Sequence, residues 1–390
     1  MIDEGSVFFA IAGDRHDGHL FLQALYQLGI RQFIVERDVP EGSFPGSNIL
    51  KVRSTVEALQ KIASIHRSQF SLPVIGITGS NGKTIVKEWL YQVLAPDLKI
   101  VKNPGSYNSQ VGVPVSVWQI NKHHDLGIFE AGISQPNEMA KLQSVIQPSI
   151  GIFTNIGSAH DEGFASREEK AEEKAKLFSD CDTVIYCRDH GLIHETLVRT
   201  GRSFLTWGTS PKADINITSS GNSIFEISYQ SKIFSLHLPF HDPASRENAF
   251  HVMAFMLYKD YDASVIQDRI QSLQSVPMRL ELKQGINRCI IIDDSYNNDL
   301  AGLRISLDFL KNQQKVKKTL ILSDVLQSGL SEAELIKEIK GLITAGQVKK
   351  LIGIGPVLFN NQKFFSGTFF RSTAEFSKAF KLTLLQMMSS

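Results

Sequence analysis

Val74-Ile75-Gly76-Ile77 is an apolar run around one glycine and reads as a strand buried on both faces. A polar stretch follows from Thr78 to Thr84, and then apolar residues at helical spacing from Ile85 to Leu94. The same alternation continues to about residue 275. Strands are predicted at 74–78, 99–102, 126–131, 149–154 and 183–187, and helices at 84–94, 114–120, 136–146, 167–179 and 190–199. Such alternation is the signature of a parallel sheet covered by helices. Residues 213–238 place Ser, Ile and Phe at a spacing of two and predict an antiparallel excursion, after which helices resume at 245–258 and 262–273.

Smaller units flank this one. In residues 1–72, Val7 to Ala12 reads as a strand, Gly13 to His19 as a polar turn, Leu20 to Leu28 as a helix and Gln32 to Val35 as a strand. Asp38 to Asn48 is rich in Pro, Gly and Ser and reads as a loop, followed by an amphipathic helix from Val56 to Phe70. Residues 276–390 start afresh, with strands at 279–284, 289–293, 318–323 and 349–354 and helices at 299–311, 331–344 and 373–385. The expected architecture is α/β in three domains, 1–72, 73–275 and 276–390, without internal repeats or low-complexity segments.

Composition changes this picture little. Of 390 residues, 42% are apolar and 21% charged, as in ordinary globular proteins, and the net charge of +1 gives no field to recruit nucleic acid or an anionic membrane. The three cysteines, Cys181, Cys187 and Cys289, have no metal-like spacing and fit a reducing compartment. The N-terminus is acidic and no apolar run is long enough to span a bilayer, so a cytoplasmic protein, a monomer by default, is expected.

The chemistry is concentrated at Thr78-Gly79-Ser80-Asn81-Gly82-Lys83-Thr84. Between a strand and a helix, Gly79 and Gly82 let the backbone close around an anion, and the amides of the loop and the helix N-terminus point at it. Lys83 adds a positive charge for the β/γ-phosphates, and Thr84 a hydroxyl for Mg²⁺. The match is the short G-x-x-G-K-T, with Ile77 where the longer pattern has its first Gly. In a parallel sheet, ligands bind outside the carboxyl ends of the strands, where Glu130, Asn155 and His160 stand, and near bound phosphates the carboxylate of Glu130 and the imidazole of His160 could hold a divalent cation. Local sequence alone favours the plainer reading, a strand-end carboxylate paired with a lysine and a loop histidine in water.

In helix 167–179, Lys170 and Lys176 fit a solvated, salt-bridged face. Lys174 instead lies in the stripe Ala171, Lys174, Ala175, Phe178, where burial would expose a neutral, reactive amine. Near the start of the last unit, Ile290 to Asn297 delivers acids, an aromatic and an amide to a strand end. Asp294 could bind a ribose hydroxyl and Tyr296 could pack on a base; the plainer reading is a turn before a helix capped by Asp299. Arg279, at the proposed domain junction, is either a linker charge or a group that closes onto phosphates.

Taken together, these motifs resemble the Mur ligase family over nearly the whole chain. The resemblance is strongest to the branch that joins D-alanyl-D-alanine to UDP-N-acetylmuramoyl-tripeptide. It implies three domains with a central P-loop sheet and a Rossmann-like C-terminal domain, ATP with Mg²⁺, and an acyl-phosphate route to an amide bond. Thr78 to Thr84 is similar to the family's T-G-x-N-G-K-T, so Gly79, Ser80, Asn81, Gly82, Lys83 and Thr84 would cradle the nucleotide phosphates. Asn103 to Pro114 is similar to a substrate loop, with Asn108 a substrate contact. Thr84, Glu130 and His160 fall at magnesium ligands, and Lys174 at a lysine that many members carry carbamylated.

Asn248 and Arg279 match an adenine-binding Asn and a phosphate-binding Arg, and Asp294, Tyr296 and Asn297 lie in a stretch close to D-D-S-Y-N-A-N-P. Ser6 to His19 is similar to the uridine-nucleotide domain, with Ser6, Asp17 and His19 as contacts. The resemblance thus assigns catalytic work to Lys83, His160, Lys174 and Arg279. The family's H-N-x-x-N reads Ala244-Ser245-Arg246-Glu247-Asn248 here, Asn298-Asp299-Leu300 stands in place of A-N-P, and Ser323 to Gly329 replaces G-D-M-x-E-L-G.

The rivals are another ligase of the superfamily, such as a folylpolyglutamate synthase, and a nucleotide-binding scaffold without ligase activity. The resemblance also carries the expectation of a chain shortened at both ends. Neither a D-S-R segment before Ser6 nor a K-G-S-R strand after helix 373–385 is found, as for the ligase part of members fused to an alanine racemase. ATP binding would then survive better than UDP-peptide binding, and ligation would be weak or absent.

Overall fold

The computed structural model describes residues 5–13, 16–157, 163–285, 289–296, 298–313, 317–325 and 328–388, with side chains as far as Phe380. The first unit holds β1 (Val7–Phe9), α1 (Leu22–Gln27), β2 (Gln32–Val35), β3 (Asn48–Lys51) and α2 (Thr55–Arg67). Its three strands pair in parallel in the order β1-β2-β3 around Ala10, Leu22, Ile30, Phe33 and Val35. The third strand was not expected. All four of its residues are exposed, so neither alternation nor an apolar run marks it. Helix α2 packs against the next unit through buried Arg67. Its guanidinium donates to the carbonyls of Ile146 at 2.9 Å, Phe70 at 2.6 Å, Leu72 at 3.3 Å and Gln147 at 3.2 Å.

The middle unit runs β4 (Val74–Thr78), α3 (Lys83–Leu94), β5 (Ile100–Lys102), α4 (Gly112–Val117), β6 (Leu126–Glu130), α5 (Met139–Ile146), β7 (Ile150–Phe153), α6 (Arg167–Ala175), β8 (Thr183–Cys187), α7 (Gly191–Val198) and β9 (Phe204–Gly208). It continues with β10 (Ile215–Gly221), β11 (Ile224–Tyr229), β12 (Lys232–His237), α8 (Pro243–Tyr258) and α9 (Ala263–Gln271). The strands form one nine-stranded sheet in the order β12-β11-β10-β9-β8-β7-β4-β6-β5, parallel from β5 to β10 and antiparallel beyond. The expected antiparallel excursion is therefore the edge of this sheet. Strand β9, which joins it to the parallel part, was not anticipated.

Every residue of β4, β6, β7 and β8 is buried, as expected of strands covered by helices on both faces. One core lies under α3, α8 and α9, where Trp89 stacks on Phe240 at 4.4 Å, and the other under α2, α4, α5 and α6.

The last unit holds β13 (Glu281–Gln284), β14 (Ile290–Asp293), α10 (Leu300–Lys311), β15 (Thr319–Ser323), α11 (Glu332–Ala345), β16 (Lys350–Ile354), α12 (Pro356–Asn360), β17 (Gly367–Phe370) and α13 (Thr373–Met388). Its strands fall into two sheets. β13 and β14 make an antiparallel ribbon, and β15-β16-β17 make a parallel sheet with α10 and α11 packed around Leu303, Leu307, Ile336 and Ile339. Asp299 caps α10 by accepting the Gly302 amide at 2.9 Å, as expected. Among the described residues no helix is long and apolar enough to cross a membrane.

Candidate active site

Strand β4 lies between β7 and β6, with Ile77 opposite Glu130 and Thr78 opposite Phe153, so the loop after β4 opens between two strand ends. Gly79 (φ +146°) and Gly82 (φ +82°) have backbone conformations that L side chains rarely adopt. A Cβ on Gly79 would strike the Thr154 hydroxyl, and one on Gly82 the carboxamide oxygen of Asn248. Asn248 on α8 is thereby placed against the loop. Neighbouring groups brace the loop. The Ser80 amide donates to the Asn155 carbonyl at 2.8 Å, the Asn81 amide to Asn155 Oδ1 at 3.0 Å, and the Thr154 hydroxyl to the Asn81 carbonyl at 2.6 Å. With Ser80 and Asn81 committed to Asn155, the donors left for an anion are those of the first turn of α3, which no helix satisfies internally.

Two lysines converge on this loop and a third on the loop beside it. Lys83 Nζ donates to the carbonyls of Gly79 at 2.8 Å and Ser80 at 2.9 Å. Burial pushes its pKa down to about 8, against the pull of Glu130 and with help from Arg279. Lys174 on α6 is buried as its place in the apolar stripe implies, and its Nζ donates to the Gly79 carbonyl at 3.2 Å. Burial, with Lys83 and Lys170 nearby, holds its pKa well below the usual lysine range and favours the neutral amine. Lys176 is half-exposed and pairs with Glu173, but Lys170 corrects the expectation of a solvated residue. It is fully buried and donates to the Gly157 carbonyl at 2.7 Å. Its side chain lies under the loop that follows β7, a tertiary contact that helical periodicity does not reveal.

Glu130 ends β6 fully buried, and among the described residues neither of its carboxylate oxygens has a hydrogen-bond partner. A buried unpaired carboxylate is costly, and this one lies within electrostatic reach of Lys83, Lys87 and Arg279. Close by, Thr84 Oγ1 is 2.9 Å from Ser106 Oγ, and Arg279 Nη2 donates to both, at 3.3 Å and 3.1 Å. An orphaned carboxylate beside two hydroxyls and phosphate-seeking cations fits Mg²⁺, which takes one or two carboxylates together with phosphate oxygens. His160, the other expected ligand, lies outside the described residues, as does Asn297. Ser106 and Lys87 were missed, because a loop serine and a helical lysine carry no local signal.

Arg279 reaches this point from the junction between units, flanked by Met278 and Leu280 with φ of +61° and +51°. Its guanidinium stacks over the Tyr296 ring at 4.0 Å, so Tyr296 packs on a cation here. Asp294 accepts from the Leu280 amide at 3.3 Å and from the Ser306 hydroxyl, and so ties the junction to α10. Beside Arg279, a cavity of about 460 Å³ is lined by Trp89, Phe240, Asp242, Ser245 and Gln313. On the other side of Lys83, a cavity of about 400 Å³ is lined by Lys174, Asn108, Ser134 and Glu138.

The first unit's candidates form a separate group. Asp17 accepts from the His19 ring at 2.8 Å and from Arg37 at 2.6 Å, while His19 Nε2 accepts the Glu36 amide at 3.1 Å. Ser6 precedes β1, at the opposite end of that strand from Asp17 and His19.

Two family models match this chain: the Mur ligase middle domain over residues 77–256, and the Mur ligase family catalytic domain over residues 1–67. A UDP-N-acetylmuramoyl-tripeptide--D-alanyl-D-alanine ligase of Synechocystis sp. is 30% identical over 337 residues, covering 83% of this chain and 71% of the relative. The chain belongs to the Mur ligase family. The ligase of the same description from Bacillus subtilis is 26% identical, covering 91% of this chain and 78% of its own. Among solved structures, MurF from Acinetobacter baumannii superposes with a TM-score of 0.82 at 23% identity, covering 99% of this chain and 85% of that one. The MurF ligase of Thermotoga maritima in complex with ADP gives 0.78 at 24% identity, covering 95% and 86%. These likenesses show the three-domain Mur ligase fold.

Proposed function

We propose that this protein is an ATP-dependent amide ligase that joins D-alanyl-D-alanine to UDP-N-acetylmuramoyl-tripeptide. The observation that carries this reading is the meeting of Arg279 with Thr84 at the end of the loop that holds Lys83, with the orphaned carboxylate of Glu130 within electrostatic reach of both Lys83 and Arg279. That set suits a triphosphate and its cation, and it lies next to a cavity large enough for a peptide end.

ATP transfers its γ-phosphoryl group to the tripeptide carboxylate, giving an acyl phosphate and ADP. The amine of D-alanyl-D-alanine then attacks the acyl carbon and expels inorganic phosphate, leaving the amide. Such transfer needs positioning and charge neutralisation more than a protein nucleophile. Lys83 and the first turn of α3 hold the β- and γ-phosphates, and Arg279 neutralises charge from the C-terminal side. Thr84 and Glu130, with His160, would hold Mg²⁺, which supplies charge stabilisation on the phosphate oxygens when bound. Asn248 and the cavity beside Trp89 take the nucleoside, and Asn108 orients the peptide. Lys174, whose pKa burial and the neighbouring lysines hold well below the usual lysine range, is suited to carry a carbamate, which would make its position an anionic one able to support a metal.

The test is phosphate release from ATP by the full chain. It should require both the UDP-linked tripeptide and D-alanyl-D-alanine. Release that depends on a folate and glutamate instead, or on neither substrate, would overturn the assignment.

A further inference from the structure

Lys87 lies one turn along α3 from Lys83, and the phosphate chemistry above does not use it. It is fully buried. An ammonium has three hydrogens to satisfy, and burying it is costly unless all of them are matched. Lys87 matches them with the Asn103 carbonyl at 2.9 Å, the Gly105 carbonyl, and the Glu88 carboxylate at 3.3 Å, which also accepts from Lys102 at 2.9 Å. Both carbonyls belong to the loop after β5. Asn103, itself buried, ties that loop to the end of β6, accepting the Glu130 amide at 2.7 Å and donating to the Tyr107 carbonyl at 2.8 Å. One residue past Gly105 stands Ser106, whose hydroxyl meets Thr84 and Arg279. The segment 103–107 belongs to no helix or strand, so these side-chain bonds hold its shape.

A neutral donor could brace an ordinary loop. A buried cation also sets positive charge beside Glu130. Burial lowers the Lys87 pKa, and Glu130 and Glu88 oppose that shift.

We propose that Lys87 is a positioning residue, and Ser106 a further oxygen ligand, of the phosphate–metal site. The ammonium fixes the loop 103–107 so that the Ser106 hydroxyl joins Thr84 and the Glu130 carboxylate in a set of hard oxygens for the divalent cation. This rests on the reading that the site takes ATP with Mg²⁺. Mg²⁺ demands near-ideal geometry, so a ligand on a loop works only if something holds the loop, and groups behind a metal ligand set its affinity.

The experiment titrates Mn²⁺ into the full chain with saturating ADP, following free Mn²⁺ by electron paramagnetic resonance. Ser106→Ala and Lys87→Met should each raise the half-saturating Mn²⁺ concentration about tenfold, with ADP binding in EDTA unchanged. Ser106→Thr should restore binding. The double variant should be no weaker than the weaker single one, because Lys87 acts through Ser106. If Lys87→Met does not fold, Lys87→Gln, which keeps a donor for one carbonyl, replaces it. Unchanged half-saturation in Ser106→Ala, or single effects that multiply in the double variant, overturns the inference alone. Failure of the wild-type chain to bind Mn²⁺ with ADP overturns the ATP reading, and this inference with it.

Discussion

Glu130 and Asp294 arrive at their places in the same way. Each follows an apolar strand run, Gly127-Ile128-Phe129 in one case and Ile290-Ile291-Ile292 in the other, and each stands at the carboxyl end of a strand. Their surroundings differ. Glu130 is sealed among covered strands with both oxygens unpartnered. Asp294 bonds to Leu280 and Ser306, and its neighbour Asp293 is held at about 2 by Lys283 and Ser295. A carboxylate whose bonds are all made inside the protein holds a junction together. One left unpaired in a dry site is retained at a cost in stability, which a cation can offset. On the proposed reading the middle unit is the seat of the chemistry, and the last unit contributes Arg279 on a braced junction.

Lys83→Ala attacks the middle side of this contrast most directly. Phosphate release should fall on the order of 10²–10³-fold with the circular dichroism spectrum unchanged, since one preorganised cation is lost. Its titration adds a sign. Free Lys83 sits at about 8, and bound phosphates favour its charged form, so binding takes up a proton above that pH. ADP affinity measured without metal should weaken as pH rises through about 8, and Lys83→Ala should flatten that slope.

Lys174→Ala should also abolish phosphate release, and a short carboxylic acid added to the assay should restore part of it. With ¹³C-bicarbonate the wild-type chain should show a carbamate resonance that the variant lacks. Full activity in Lys174→Ala would remove Lys174 from the site.

Exchanging the two carboxylates for amides tests the comparison itself. Glu130→Gln should raise the Mg²⁺ requirement by about 10–100-fold. Asp294→Asn should leave that requirement within about threefold and instead lower stability by about 1–2 kcal/mol, read from the unfolding midpoint. The reverse pattern would place the metal on the C-terminal side. The smallest effect is expected at Tyr296, which is half-exposed. Tyr296→Leu removes a cation–π contact worth about 0.5–1 kcal/mol and should raise KM for ATP roughly two- to fivefold, while Tyr296→Phe should not.

The glycine loop and Lys174 were legible without a structure because each obeys a local rule, whereas a strand-end carboxylate such as Glu130 was marked in position only, its role coming from the family resemblance. Gly79 and Gly82 stand where the chain must take positive φ, Lys174 breaks an apolar stripe, and Glu130 ends an apolar run. The central strands were equally legible, since strands buried on both faces are continuous apolar runs. Strands β3, β9 and β17 were not. β3 has no buried face, β9 is a short run closed by a glycine, and β17 opens on Gly367 at a sheet edge.

What the chain alone determined, then, is the set of elements with strong periodicity and the types of residue placed at their ends. Only the tertiary structure decided which of those residues meet. It buried Lys170 under the loop after β7, turned Tyr296 onto Arg279, tied Asp294 to Leu280 and Ser306, and brought Ser106 and Lys87 to a site that neither announces in sequence. The physical reason is range. Propensity and periodicity act within one element, whereas pairing and burial of charge depend on groups on different elements, from 12 positions apart, as with Asp294 and Ser306, to nearly 200, as with Thr84 and Arg279.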